Sequence, residues 1–134
     1  MTIQTTGDAT DFGDYTYSIR APASTSDNTI TLVSGGRYHS GGSSTMYITH
    51  CAYVTIQTPG NASTFGNLQN ARRAHLMSSD GTYAVTWGGR KSGTPSYTLA
   101  SEYQVFATQG NATEFSELGN YALYEAGHGS GSSS

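Results

Sequence analysis

Between Thr82 and Trp87 the chain alternates, with Tyr83, Val85 and Trp87 on one side of an extended segment and Ala84 and Thr86 on the other. That period predicts a strand with two different faces. Its surroundings predict more. Arg72 to Ser78 is a candidate strand before it, and "SSDG" (Ser78 to Gly81) is a tight turn whose Asp-Gly pair tolerates positive φ. Gly88-Gly89 ends the strand where side chains would crowd or φ is unusual. "KSGTPS" (Lys91 to Ser96) is a loop, Tyr103 to Thr108 a third strand, "QGNA" (Gln109 to Ala112) another turn, and Thr113 to Leu118 a short fourth strand. No stretch sustains apolar spacing at i, i+3, i+4 and i+7, so helices are not expected.

The same pattern is written more than once. "TIQTTGDATDFGD" (Thr2 to Asp14), "TIQTPGNASTFGN" (Thr55 to Asn67) and "VFATQGNATEFSE" (Val105 to Glu117) share one phrase. Gly7, Gly60 and Gly110 align, as do Asp8, Asn61 and Asn111, and Phe12, Phe65 and Phe115, at offsets of 53 and then 50 positions. "NTITLVSGGR" (Asn28 to Arg37) matches "GTYAVTWGGR" (Gly81 to Arg90), and Tyr53 matches Tyr103 after a shorter connecting loop. Four antiparallel strands in roughly 50 residues is the size of a β-propeller blade.

Arg72-Arg73, a strand ending in Gly88-Gly89, and Tyr103, with Gly35-Gly36 and Tyr53 in the other copy, resemble the kelch-type β-propeller repeat. The tryptophan that kelch repeats carry in the fourth strand is absent, and Phe65 and Phe115 stand near its place. "TIQTPGNASTFGNLQNARRA" also resembles repeats in structural proteins of marine bacteriophages, including cyanophages; the likeness runs over about residues 2–126. It implies an all-β fold of propeller blades and a virion component. Galactose-oxidase relatives share such a propeller but need copper ligands that this chain does not assemble, so no cofactor is expected.

Under this reading one repeat domain covers residues 1–126, followed by a flexible Gly/Ser tail at 127–134. Residues 1–14 form part of a blade, with strands at Thr2 to Thr6 and Thr10 to Asp14; 15–68 and 69–118 are complete blades; 119–126, which contains "NYALYEA", is the first strand of a blade split between the termini. A split blade exposes unpaired backbone groups, and a propeller loses its long edges only on closing. An isologous homodimer forming one six-bladed ring is therefore expected, closed through Thr2, Ile3, Gln4 and Thr5 of one chain and Tyr121, Leu123 and Tyr124 of the other. A β-trefoil, which also has three repeats of this length, is the rival fold.

Composition sets limits. Only 35% of the 134 residues are hydrophobic and 11% charged, with net charge −3, ten Tyr, four Phe and one Trp. Disordered chains pair low hydrophobicity with high net charge; here periodic aromatics supply a thin core. Six Lys and Arg against nine Asp and Glu argue against a nucleic-acid partner. No apolar run nears the roughly 18 residues of a membrane span, and "MTIQTTGDAT" lacks the features of a signal peptide. The expected location is a virion, or otherwise solution.

Candidate chemistry is sparse. Asn61-Ala-Ser63 and Asn111-Ala-Thr113 match the N-glycosylation pattern, but Asp8 stands at the same place in the first copy, which suits a turn whose side chain bonds the local backbone. His50 and Cys51, adjacent in a strand, should point to opposite faces and not converge on a metal or form a nucleophile pair. Arg72-Arg73 reads either as an acidic-ligand site or as arginines pairing with carboxylates and carbonyls between blades, and only Arg20 and Arg73 correspond between copies. No acid/base pair, phosphate loop or metal motif is evident, so no enzyme is expected. Two functions remain: a non-catalytic structural module such as a capsid decoration or tail-fibre protein, binding itself and other virion proteins, or a lectin for host-surface glycans. A lectin would use Trp87, Tyr38, Tyr97, Arg37 and Arg90 around the Gly-Gly ends; Arg37 and Arg90 are kept between copies, whereas Ser34 replaces Trp87.

Overall fold

A computed structural model describes residues 9–39, 45–94 and 96–119. Its elements are β1 (Ile19–Arg20), β2 (Ala23–Ser26), β3 (Ile30–Ser34), β4 (Arg37–His39), β5 (Thr45–Tyr47), β6 (His50–Thr55), β7 (Ser63–Asn67), β8 (Leu76–Ser79), β9 (Tyr83–Trp87), β10 (Ala100–Val105) and β11 (Thr113–Glu117). There is no helix among the described residues. Two sheets have four strands each, in the orders β2-β3-β6-β7 and β8-β9-β10-β11, and β1-β4-β5 make a third; every pairing is antiparallel.

The repeat is a repeat of structure. Thr29 and Ile30 each donate a backbone N–H to Asp27 Oδ1 at 2.8 Å, and Thr82 and Tyr83 do the same to Asp80. Asn28 and Gly81, at matching places, both have positive φ (75° and 88°), so one Asx-type turn opens both β3 and β9. β6 and β10 each carry an irregularity at the same register, between Cys51 and Ala52 and between Ser101 and Glu102. Gly35 and Gly89 take left-handed φ, and a Cβ on either would press on the His75 side chain, which is why Gly-Gly ends both strands.

Several predicted boundaries are corrected. Arg72 to Ser78 is not one strand: β8 begins at Leu76, because Ala74 has φ of 49° and Arg73 makes only an isolated bridge to Arg90. The third strand runs Ala100–Val105, earlier than Tyr103 to Thr108, since the chain turns at once with Gln109 N–H donating to Val105 O. Thr10 to Asp14 forms no ladder strand. The β4–β5 hairpin was not anticipated; Gly and Ser between its strands read as loop. The proposed closure residues Thr2, Ile3, Gln4, Thr5, Tyr121, Leu123 and Tyr124 lie outside the described residues.

The two four-stranded sheets share one core. Ile30, Leu32, Cys51, Phe65 and Leu68 of the first meet Met77, Ala84, Phe106 and Ala112 of the second. Phe65 meets Phe106 edge-on, centroids 6.3 Å apart, and Tyr53 packs on Phe65 at 6.0 Å. β2 lies against β8, where Ser79 donates its hydroxyl to Ser26 O.

Candidate functional site

The phrase that repeats is the part that joins one unit to the next. Gly60 N–H donates to Phe12 O at 2.7 Å and Ala62 N–H to Asp14 O at 2.9 Å, while Asp14 N–H donates to Asn61 Oδ1 at 3.0 Å. One unit on, Ala112 N–H donates to Asn67 O at 2.7 Å and Asn67 N–H to Asn111 Oδ1 at 3.0 Å. The turn Gly-Asn-Ala of each unit thus seats on Phe-Gly-Asn/Asp of the unit before. Gly13 and Gly66 sit beneath the seated turn. A Cβ on either would fall well inside 3.0 Å of the next turn's glycine carbonyl, so neither position admits a side chain. The asparagine side chains bond across the joint to the preceding unit, not to their own turn as expected; the Asp/Asn interchange still follows, because either side chain supplies the acceptor.

A second feature is a charge pair buried within the second unit. Arg72 is fully buried and paired with Glu102, also fully buried. Its Nη1 donates to Gly88 O at 3.1 Å and Ala100 O at 2.9 Å, while Glu102 accepts from Gln69 N–H at 2.7 Å and Asn70 Nδ2 at 3.0 Å. Such a pair repays its desolvation only when its remaining donors and acceptors are satisfied, and here they are. At the matching places the first unit has Ile19 and Ala52: both charges are replaced together. Of the two arginines, Arg72 therefore holds structure.

Arg73 differs. In both units a three-rung ladder forms: Arg20 opposite Arg37 and Arg37 opposite Tyr47; Arg73 opposite Arg90 and Arg90 opposite Tyr97. Arg37 and Arg90 were anticipated; the Tyr47–Tyr97 equivalence was missed, although the 50-position offset carried it. Arg73 lies over the Tyr47 ring, 5.6 Å from its centroid, and its Nε donates to Tyr47 Oη at 3.4 Å. The Arg73 hydrogen bond is the main reason the Tyr47 phenol sits below its usual range, with the charges of Arg73, Arg90 and Arg37 adding to it against the opposing effect of burial.

Beside this cluster is a groove of about 360 Å³ lined by Tyr17, Tyr38, Tyr47, Thr49, His50 and Asn67, with Ile48 and Ala71. Tyr17 meets Tyr38 and His50 edge-on, at 5.8 Å and 5.1 Å between centroids. Burial lowers the His50 pKa, and its Nε2 is buried with no hydrogen-bond partner among the described residues. Of the five anticipated ligand residues, Tyr38 lines this groove and Arg37 reaches the Tyr47 cluster. Trp87 is half-buried in β9 of the other unit, and Tyr97 lines a separate groove of about 270 Å³ with Asn70, Lys91 and Glu114, among others. The five do not form one pocket.

His50 and Cys51 diverge as predicted: Cys51 lies in the core with its thiol pushed up to about 12, chiefly by burial, while His50 meets Tyr15 and Tyr17. His75 is buried between units, its Nε2 2.9 Å from Ser34 Oγ, which donates to Met77 Sδ at 2.9 Å. Burial, then the Arg72 charge, pulls its pKa down to about 3. A neutral His75 follows, and with it a pH dependence. Its folded pKa is depressed, so its contribution is fully present above about pH 6.5 and is lost as pH falls toward 3. The unfolding free energy from urea titrations should decline below pH 6.5 with a slope of up to about 1.4 kcal/mol per pH unit, and His75→Gln should flatten that decline. An unchanged slope in the variant would assign the effect elsewhere, His50 being the next candidate.

Among the described residues no group of three or more His, Cys, Asp or Glu is placed to hold a metal ion, and no helix is long and apolar enough to cross a membrane. Compared with models of known protein families and with curated proteins, the chain matches none.

Proposed function

We propose that the chain is a non-catalytic structural and interaction module of β-propeller type, working by assembly within a bacteriophage virion as a capsid decoration or a tail-fibre or appendage protein. The observation that carries the assembly reading is the joint: the first unit seats its own turn on residues 12–14 and receives the turn of the second unit at Asn67. Four-stranded antiparallel meanders of one size, packed side by side through β2 and β8, support blades over a trefoil. The virion assignment rests on the resemblance of the phrase to phage structural repeats. Mass spectrometry of purified particles from the source virus tests it: the protein should copurify at a fixed ratio to the capsid protein, and its absence from particles removes the virion role.

The tyrosine groove favours a second reading, glycan binding. Tyrosine faces suit the apolar face of a sugar ring, Thr49 and Asn67 offer partners for hydroxyls, and Arg73 beside Tyr47 favours an acidic sugar. On a glycan array, acidic glycans should be retained by the native chain and weakened at least about tenfold by Tyr38→Ala, a loss of about 1.4 kcal/mol. An array without hits removes the lectin reading and leaves the assembly reading standing.

A further inference from the structure

The second sheet leaves open the face that the first sheet buries. In the first unit, Ile30, Leu32, Ser34 and Phe65 are buried, with Tyr53 half-buried, beneath His75, Met77, Phe106 and Ala112 of the next unit. The matching positions in the second unit are Tyr83, Val85, Trp87, Phe115 and Tyr103. There Phe115 is 58% exposed and Tyr83 43%, and four of the five residues line an open groove of about 320 Å³ with Asp80. Tyr83, Tyr103 and Phe115 stack edge-on along it, centroids 5.6 Å and 5.9 Å apart. A repeat face left to water is normally polar; this one is a row of aromatics.

We infer that this face, with the edge of β11, receives a second copy of the chain through that copy's N-terminal phrase. The inference rests on the assembly reading above. The occupant follows from continuity with the joints already formed. The phrase places Ile3 and Ala9 at the positions of Phe106 and Ala112, the residues that cover the same face in the first unit. The chain's own phrase does not serve, because Phe12 and Asp14 are hydrogen-bonded to Gly60 and Ala62 on the far flank of the first unit.

One substitution sets the strength of this joint. Ser116 stands where Gly13 and Gly66 admit no Cβ, in the same register, opposite Ser101 as Gly66 is opposite Cys51. The third joint therefore seats less closely than the two within the chain. Glu117 also replaces Asn67 and would meet Asp8 where Asn67 meets Asn111, placing two carboxylates together. Association is accordingly weak, concentration-dependent and strengthened by salt, which screens the like charges.

Sedimentation velocity on the full chain across a wide concentration range tests this, with three proteins. The native chain should pass from one-chain to two-chain mass as concentration rises. Ser116→Gly should shift that transition at least about fivefold lower in concentration, relief of overpacking being worth about 1 kcal/mol or more. Phe115→Lys, at an exposed site, should remain at one-chain mass while keeping the native circular dichroism spectrum. A two-chain mass that persists in Phe115→Lys places the contact elsewhere and overturns this surface while sparing the assembly reading. One-chain mass for both the native chain and Ser116→Gly at every concentration overturns the inference and self-assembly together, and means that the chain's own residues 120–134 or a different protein cover the face.

Discussion

Replacing Gly66 by alanine is expected to lower stability by about 2–4 kcal/mol, while the chemically milder-looking Ser116→Ala, at the matching position, changes it by less than about 0.5 kcal/mol. A Cβ at position 66 would overlap the Gly110 carbonyl and crowd Asn111 N. Backbone cannot yield as a side-chain tip can, so the Gly110–Ala112 turn must lift. The hydrogen bonds from Ala112 N–H to Asn67 O and from Asn67 N–H to Asn111 Oδ1 then weaken, each worth about 1 kcal/mol, and Ala112 leaves the core. Ser116 is exposed and has no seated turn above it among the described residues. Urea unfolding of the two variants beside the native chain at pH 7.5 makes the comparison. Equal stability of Gly66→Ala and Ser116→Ala would mean that the joint contributes little.

The second large effect concerns the buried ion pair. Arg72→Ile alone leaves Glu102 charged, buried and short of its main partner, and Glu102→Ala alone strands a buried guanidinium; each should cost about 3–5 kcal/mol. The double variant Arg72→Ile/Glu102→Ala copies Ile19 and Ala52 of the first unit and should recover about half or more of the larger single loss. Full recovery is not expected, because Gln69 N–H and the carbonyls of Gly88 and Ala100 lose their partners. A double-mutant cycle reads this directly: simple additivity of the two losses would show that the charges do not act as a pair.

Much of this architecture was legible in the sequence because it is carried by local, periodic signals. The 53- and 50-position offsets recur in the strands, from β2 to β8 and from β6 to β10, and Asp27 and Asp80 open equivalent strands through equivalent turns. Alternation placed Tyr83, Val85 and Trp87 on one face, and separated His50 from Cys51. Elsewhere tertiary contacts decided. Arg72 looked like a strand residue, but its head is drawn inward by Glu102 and two carbonyls, so the segment before Leu76 follows that anchor rather than a ladder. The β4–β5 hairpin hid behind glycine and serine. The phrase itself reads along the chain as turns and short strands. Its glycines bind it to a neighbour, and no period along one strand reports what lies across from it. The signal available was conjunction: Gly13 and Gly66 recur together with Asp14 and Asn67, and Ser116 and Glu117 depart together.

That the phrase is a joint between units is tested most directly by amide hydrogen exchange at Ala62 and Ala112. Both lie outside the strands, and their amides donate across the joint to Asp14 O and Asn67 O rather than to a strand ladder. Slow exchange is expected at both, with Gly66→Ala abolishing protection at Ala112 while Ala62 keeps its own. Exchange at both amides as fast as at Gly93, in the exposed loop, would contradict it.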